Sequence, residues 1–351
     1  MVPALAVADA LRADGAEVAF IGGNRAEAEL VPAAGYELHT LNVSGLSRTN
    51  PLRALRAAGL AAAAVPRARS ILRALRADAA MGGGGYVAGP VGLAALSAGL
   101  PLVLTEADSH LGLTNRLLAP RARRVCLSFP IEGRERPRYL VTGRPIPPPS
   151  GDRAAGRAHF RLDAGETCVL VFGGSLGSHS INQAALEALA EAPFAVLHVC
   201  GSRDYPALSA RELRPGYRLL SYLGTAEFGL ALAAADLAVA RSGGSVFELA
   251  AYGLPAILVP YPHAAGDHQS ANARWMTDAG AAVAIPDAEL GAARLGGEIS
   301  ALLSDERRLA QMAAASRSLA RPRAAAEVAA EVLAAAAERA GGRVTGPGRG
   351  R

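Results

Sequence analysis

The chain has 351 residues, of which 51% are hydrophobic, 19% charged and 5% aromatic, with 39 glycines and 22 prolines. That length suits two α/β domains, each able to bury its own core, and the composition excludes collagen-like, disulfide-scaffold and disordered classes. A net charge of +5 and a pI near 9.4 favour an anionic partner, a nucleotide or a phospholipid surface, while the scarcity of aromatic rings for base stacking argues against nucleic acid.

Reading from the start, residues 3–12 form an alanine-rich helix and 17–21 a strand. No basic region precedes the apolar residues at 1–10, and apolar runs such as 57–65 fall short of the roughly 20 residues that cross a bilayer. The chain is therefore expected to be soluble or peripherally bound. Residues 44–80 set Arg48, Arg53, Arg56, Arg67, Arg69, Arg73 and Arg76 against Leu52, Leu55, Leu60, Val65, Ile71, Leu72 and Leu75. This is a basic amphipathic stretch suited to anionic lipid headgroups, or equally a solvated helix face packed on a sheet. Since all 36 basic residues are arginine, a single arginine is weak evidence here.

Residues 81–90 read MGGGGYVAGP, and a strand at 102–105 leads into LTEADSHLGLTN at 104–115. The glycines allow close approach to an anionic ligand, and Glu106, Asp108 and His110 could do acid/base work; a turn and a capped helix explain the same residues. The run TGRPIPPPSGD at 142–152 forbids helix and sheet, which makes it the expected linker. The expected domains are 1–143 and 144–317, followed by a helical segment to 340 and a disordered glycine-rich tail at 341–351.

The second half begins with a strand at 168–172, the loop GGSLGS at 173–178 and a helix at 181–191. Side-chain-free residues let backbone N–H groups approach phosphate, and the helix N-terminus favours negative charge. The loop lacks both the G-x-G-x-x-G spacing and the lysine of an ATP-hydrolysing loop. Strands at 195–199, 237–240 and 257–259 follow. The second of these runs into RSGGSVFE, where Glu248 on the first helical turns can accept hydrogen bonds from a ribose diol or simply complement the helix dipole. The last releases His263, Asp267, His268, Gln269 and Asn272 into a loop at the strand's carboxyl end, where open α/β sheets bind ligands. Metal-ligand spacing is absent there and around Cys126, Cys168 and Cys200, which are odd in number and fit a reducing cytoplasm.

The two halves repeat: IGG after residues 17–20 is similar to VCG after 194–198, each preceded by a helix. In the second half a strand and a glycine loop precede that helix. By symmetry a first strand of about 5–6 residues and its loop are expected upstream of Met1.

Together GGYVAGP (84–90), GLTN (112–115), GGSLGS, RSGGSVFE and LPAILVPYPHAAGDHQSANA resemble the MurG family, lipid-linked N-acetylglucosaminyltransferases of peptidoglycan synthesis. The resemblance spans residues 2 to about 333. It implies the GT-B fold, two Rossmann-like domains facing a cleft, with the lipid acceptor bound by the first and UDP-N-acetylglucosamine (UDP-GlcNAc) by the second. It also implies inverting transfer to the C4 hydroxyl of undecaprenyl-pyrophosphoryl-MurNAc-pentapeptide at the cytoplasmic face of the cell membrane, on an anionic lipid surface, with no cofactor and no tightly bound metal.

Carried over by position, the donor contacts are Asp108, Arg144, Gly173, Gly174, Ser175, Gly177, Leu223, Ser242, Gly243, Gly244, Ser245, Glu248, His268 and Gln269. Gly84, Gly85, Tyr86 and Gly89 fall to the acceptor, and the base falls either to the family's histidine in the glycine loop expected upstream or to Glu106 or Asp108. The chain departs from the family pattern in three places: HEQN reads Thr105-Glu106-Ala107-Asp108, GNPxR reads Gly143-Arg144-Pro145-Ile146-Pro147, and RSGGSVFE is one residue short. Rival readings are a diacylglycerol glycosyltransferase and a non-catalytic UDP-sugar or lipid-binding protein. A nicotinamide enzyme is disfavoured by Asn24, which stands where a ribose-binding acid would be expected.

Overall fold

The computed structural model describes residues 1–43, 51–149 and 152–344, and the side chains among them other than those of 51–54, 265 and 341–344. Arg48 and residues 150–151 lie outside the described residues, as do the side chains of Leu52 and Arg53. The chain divides into two units, Met1–Pro147 with Arg323–Arg351, and Pro148–Pro322.

Unit 1 runs α1 (Val2–Ala13), β1 (Ala19–Gly22), α2 (Ala26–Ala33), β2 (Glu37–Thr40), α3 (Pro51–Ala74), β3 (Ala80–Gly82), α4 (Gly85–Ser97), β4 (Leu102–Glu106), α5 (Leu113–Leu118), β5 (Arg124–Leu127) and β6 (Tyr139–Val141). β1 and β2 form a parallel pair, and β3-β4-β5-β6 a second parallel sheet. Strand alternation sorts the core onto two faces. Leu102, Leu104, Val125 and Leu127 pack with Ala64, Ala68 and Leu72 of α3, while Val103 and Cys126 point the other way onto Val7 and Leu11 of α1.

Unit 2 runs α6 (Arg153–His159), β7 (Cys168–Phe172), α7 (His179–Ala188), β8 (Ala195–Val199), α8 (Tyr205–Leu208), β9 (Tyr217–Leu220), α9 (Thr225–Ala234), β10 (Leu237–Ala240), α10 (Val246–Tyr252), β11 (Ala256–Leu258), α11 (His268–Asp278), β12 (Ala282–Ala284), α12 (Ala292–Leu303) and α13 (Glu306–Ser318). Its sheet is parallel throughout, in the order β12-β11-β10-β7-β8-β9. The connections therefore reverse direction between β7 and β10, and an open doubly wound sheet binds its ligand at that switch point.

The interdomain boundary falls four residues later than the expected 143/144. The amides of Thr142 and Gly143 still donate to the Leu127 carbonyl, and Thr142 and Pro145 are buried, so the chain remains packed on unit 1. The last helix, α14 (Ala324–Val344), is also part of unit 1. Its Val328, Ala329 and Val332 close over Val7, Leu11 and Val103, and Glu331 pairs with Arg124 at 2.7 Å. An alanine-rich periodicity marks the helix without naming its partner. Residues 341–344, expected to be disordered, continue α14, and 345–351 lie outside the described residues.

The amphipathic stretch is one helix: α3 buries Ala57, Ala64, Ala68 and Leu72 and exposes Arg56, Arg67 and Arg73. No helix among the described residues is long and apolar enough to cross a membrane.

Candidate active site

In unit 2 the loops following β7 and β10 meet the switch point from both sides. The first loop is shaped by glycines that admit no side chain. A Cβ on Gly173 would lie 2.4 Å from the Ser178 amide, and one on Gly177 1.9 Å from the Cys200 carbonyl oxygen. Gly177 also holds φ +77°, the left-handed region. Its amide donates to the Gly174 carbonyl at 2.9 Å, closing the turn. Gly173 and Gly177 thus build the loop, and the Gly177 amide is used within it. Gly174 and Ser175 are exposed at its tip, where the Ser175 hydroxyl faces solvent beside the start of α7.

The second loop is held from behind. Ser242 is fully buried, and its Oγ donates to the Gln269 carbonyl at 2.7 Å, so this hydroxyl is structural rather than a donor contact. Asn272 Nδ2 donates to the Ser242 and Gly243 carbonyls at 3.0 and 3.4 Å. The Ser245 Oγ turns back to the Arg241 carbonyl at 3.4 Å. Gly243 and Gly244 remain half-exposed, with Glu248 half-buried on the first turn of α10.

Gln269 stands on the first turn of α11, and Asn272, expected in the preceding loop, is buried one turn further into that helix. The Tyr261 amide donates to Gln269 Oε1 at 3.0 Å, which orients the side-chain amide and assigns its NH2 to the opposite side. His268 is half-buried at the start of the helix. Asp267 before it is left-handed, φ +54°, directly after left-handed Gly266, and its carboxylate accepts the Ser270 hydroxyl at 2.6 Å. Leu223, between β9 and α9, buries its side chain while Tyr222 beside it is exposed.

Unit 1 carries its own glycine loop after β3. Gly84 and Gly85 are left-handed, at φ +76° and +79°, and lead into α4. Tyr86 follows on the first turn, with the Arg25 guanidinium 5.0 Å from its ring centre. Gly89 lies within α4 against Thr114.

The acid pair separates into two roles. Glu106 is buried: Oε1 accepts the amides of Ala107 and Asp108 at 2.9 and 3.2 Å, and Oε2 accepts the Gly112 amide at 2.8 Å and Asn115 Nδ2 at 2.9 Å. With two donors on each oxygen the carboxylate is the anchor of the 106–115 loop and not a free base, which corrects the expectation for Glu106. Asp108 is half-exposed and has no side-chain partner among the described residues. Arg144 lies in unit 1 and not in the unit that holds the glycine loops after β7 and β10.

Profiles of the two glycosyltransferase family 28 domains match this chain, the N-terminal domain over residues 1–127 and the C-terminal domain over 168–328. The chain belongs to glycosyltransferase family 28. A family member from Rubrobacter xylanophilus, named UDP-N-acetylglucosamine--N-acetylmuramyl-(pentapeptide) pyrophosphoryl-undecaprenol N-acetylglucosamine transferase, is 42% identical over 341 residues, covering 95% of this chain and 100% of that protein. Its namesake from Moorella thermoacetica is 41% identical over 91% of each. The crystal structure of MurG from Acinetobacter baumannii superposes with a TM-score of 0.74 at 28% identity over 95% of each chain. SnogD of Streptomyces nogalater, at 21% identity and a TM-score of 0.68, shares the fold. The two Rossmann-like units are thus those of a GT-B glycosyltransferase, as the family resemblance implied.

Sequence reasoning overlooked three side chains that brace the donor loops: Ser180, Arg241 and Asp287. Arg241 was discounted with every other arginine. Ser180 follows the first glycine motif by two residues but carries no mark of its own, and Asp287 stands far from either motif, so only the fold brings it to them.

Proposed function

We propose that this chain transfers N-acetylglucosamine from UDP-GlcNAc to the C4 hydroxyl of undecaprenyl-pyrophosphoryl-MurNAc-pentapeptide, with inversion, giving the disaccharide lipid precursor of peptidoglycan and UDP. The observation that carries this reading is the 42% identity over 341 residues with a transferase of that name. The two glycine loops at the switch point of unit 2 support it independently.

In this reading the donor lies in unit 2. Its diphosphate meets the Gly174–Ser175 tip, the start of α7 and the Gly243–Ser245 backbone. These fixed dipoles are aimed where negative charge develops as UDP departs. Glu248 accepts the ribose hydroxyls, the Leu223 backbone meets the uracil, and the Gln269 amide donates to the sugar. The acceptor lies on unit 1 at Gly84, Gly85 and Tyr86. Asp108 takes the C4 hydroxyl proton, being the carboxylate of its loop without a partner. The nucleophile is the acceptor's own oxygen and the leaving group already carries two phosphates, so the reading includes no cofactor.

The same reading sets unit 1 on the cytoplasmic face of the membrane. Leu93 on α4 and Leu113 and Leu117 on α5 are 52%, 57% and 66% exposed, with exposed Arg116 between the last two. Apolar side chains flanked by arginine suit an anionic lipid surface better than the arginines of α3 alone do.

The test is transfer of radiolabelled N-acetylglucosamine from UDP to the lipid-linked muramoyl-pentapeptide, with diacylglycerol as a parallel acceptor. Label on the muramoyl lipid alone is expected. Label on diacylglycerol alone would move the chain to the rival lipid acceptor. UDP-GlcNAc binding with no transfer to either would refute the enzymatic reading. Asp108→Asn is expected to lower kcat about 100-fold or more with the KM for UDP-GlcNAc little changed.

A further inference from the structure

Arg241, in the loop after β10, has no part in the donor contacts described above. Its side chain is 12% exposed, and its guanidinium is surrounded by neighbours from three other segments of unit 2. Nη1 donates to the Val259 and Pro260 carbonyls at 3.1 and 3.2 Å and pairs with Asp287 Oδ1 at 2.6 Å. Nη2 donates to Ser180 Oγ at 2.8 Å, and Ser180 donates its own proton to the same Asp287 oxygen at 2.8 Å. The guanidinium also lies 5.4 Å from the Tyr261 ring centre, and the Tyr261 amide holds Gln269.

These contacts join parts of the molecule that would otherwise move separately. Ser180 is on the first turn of α7, whose start faces the first glycine loop. Arg241 opens the second glycine loop, Val259 and Pro260 end β11, and Asp287 begins the short turn after β12. A cation this enclosed is costly unless it is paired, and here one carboxylate neutralises it while three further oxygens accept from Nη1 and Nη2. A buried pair of this kind is poor evidence for stability; its informative property is that it fixes one geometry.

We propose that Arg241, braced by Asp287 and Ser180, is a positioning residue that sets the spacing between the two phosphate-facing loops, so that a nucleoside diphosphate meets both as one preassembled site. This rests on the donor reading above. A planar fork is required, because lysine's single ammonium cannot reach Ser180, Asp287 and the β11 carbonyls together. A nucleoside monophosphate needs only one loop, whereas a diphosphate needs both in register. Loss of the brace therefore selects against the second phosphate.

The experiment is calorimetric titration of UDP and of UMP into the full chain and into Arg241→Lys, Asp287→Asn and Ser180→Ala, each below its own unfolding midpoint. Arg241→Lys is expected to weaken UDP by about tenfold or more, the loss of one well-aligned charged hydrogen bond, while UMP changes by less than about threefold. Asp287→Asn follows in the same direction. Equal changes for UDP and UMP, or no change in either, would overturn the proposal and leave Arg241 a packing residue. Ser180→Ala keeps the Arg241–Asp287 pair and decides the matter if Arg241→Lys does not fold: an unaltered UDP-to-UMP ratio overturns the proposal. A full chain that binds neither nucleotide would instead refute the donor reading itself.

Discussion

Replacing Glu106 with glutamine separates an anchoring carboxylate from a catalytic one. In the folded chain each oxygen of Glu106 accepts two hydrogen bonds, from Ala107 and Asp108 on one side and from Gly112 and Asn115 on the other. Glutamine preserves shape and volume but converts one oxygen to an NH2 group. Whichever way the amide is turned, two donors then face two donors. Hydrogen bonds to a charged group contribute about 1.5–3 kcal/mol each, so losing two costs roughly 3–6 kcal/mol, before any repulsion between the opposed N–H groups. For a unit of this size that lowers the unfolding midpoint by roughly 6–20 °C. The assay is amide hydrogen exchange resolved to residues 106–115, alongside thermal unfolding. Ala107, Asp108 and Gly112 should lose protection in Glu106→Gln while peptides of unit 2 exchange as before. A variant with unaltered protection and midpoint but no transferase activity would refute this assignment, and would make Glu106 the base.

Gly177→Ala places a methyl group 1.9 Å from the Cys200 carbonyl oxygen at φ +77°. It should cost more than about 3 kcal/mol and abolish UDP binding, whereas Gly174→Ala, open to solvent, should cost about 1–2 kcal/mol; urea unfolding followed through Trp275 distinguishes them, and equal losses would refute the close-packing account. Burial holds the His198 imidazole down to about 4 from its ordinary 6.5. The unfolded chain therefore takes up the proton first, and this contribution to the stability of unit 2 is present above pH 6.5 and lost as pH falls towards 4, about 3 kcal/mol in all. His198→Gln should show a correspondingly flatter urea midpoint between pH 7 and 4.5, and identical pH slopes for the two proteins would contradict it. Leu113→Asp with Leu117→Asp should weaken sedimentation with anionic vesicles about tenfold or more while leaving UDP affinity unaltered; undiminished vesicle binding would remove α5 from the membrane face.

The strands legible in the sequence were those with a dense apolar run. Cys168–Phe172, Ala195–Val199 and Leu237–Ala240 stand at their expected positions because a parallel strand covered on both faces is apolar almost throughout, His198 being the exception. Edge and glycine-flanked strands carry no such mark: Tyr217–Leu220 is half polar, and Ala80–Gly82 is three residues merging into a glycine run. The glycine loops were legible for a related reason, since only glycine fits where Gly177 meets Cys200. The division of labour inside each motif was hidden. Ser242 and Ser175 look equivalent in sequence, yet one hydroxyl is sealed against Gln269 and the other is exposed. Glu106 and Asp108 are two residues apart, and only the fold shows that Glu106 is surrounded by N–H groups.

The internal repeat reaches deeper than the strand–loop–helix alternation that first revealed it. Asn115 follows β4 on α5, and Asn272 follows β11 on α11, the corresponding strand and helix of the other unit. Each is almost wholly buried, and each directs both amide hydrogens at oxygens of a strand-end loop, Thr105 and Glu106 in unit 1, Ser242 and Gly243 in unit 2. A strand leaving its sheet exposes carbonyls that the ladder no longer serves; the planar NH2 of Asn272 reaches two of them, and that of Asn115 reaches one carbonyl and the Glu106 carboxylate. In both residues the side-chain oxygen is buried with no hydrogen-bond partner, a state that ordinarily costs about 1–3 kcal/mol and is rare in folded chains. One such oxygen would need a local explanation. Two among the described residues, on corresponding helices and each at the carboxyl end of its sheet, make this buried amide a shared feature of the repeated unit.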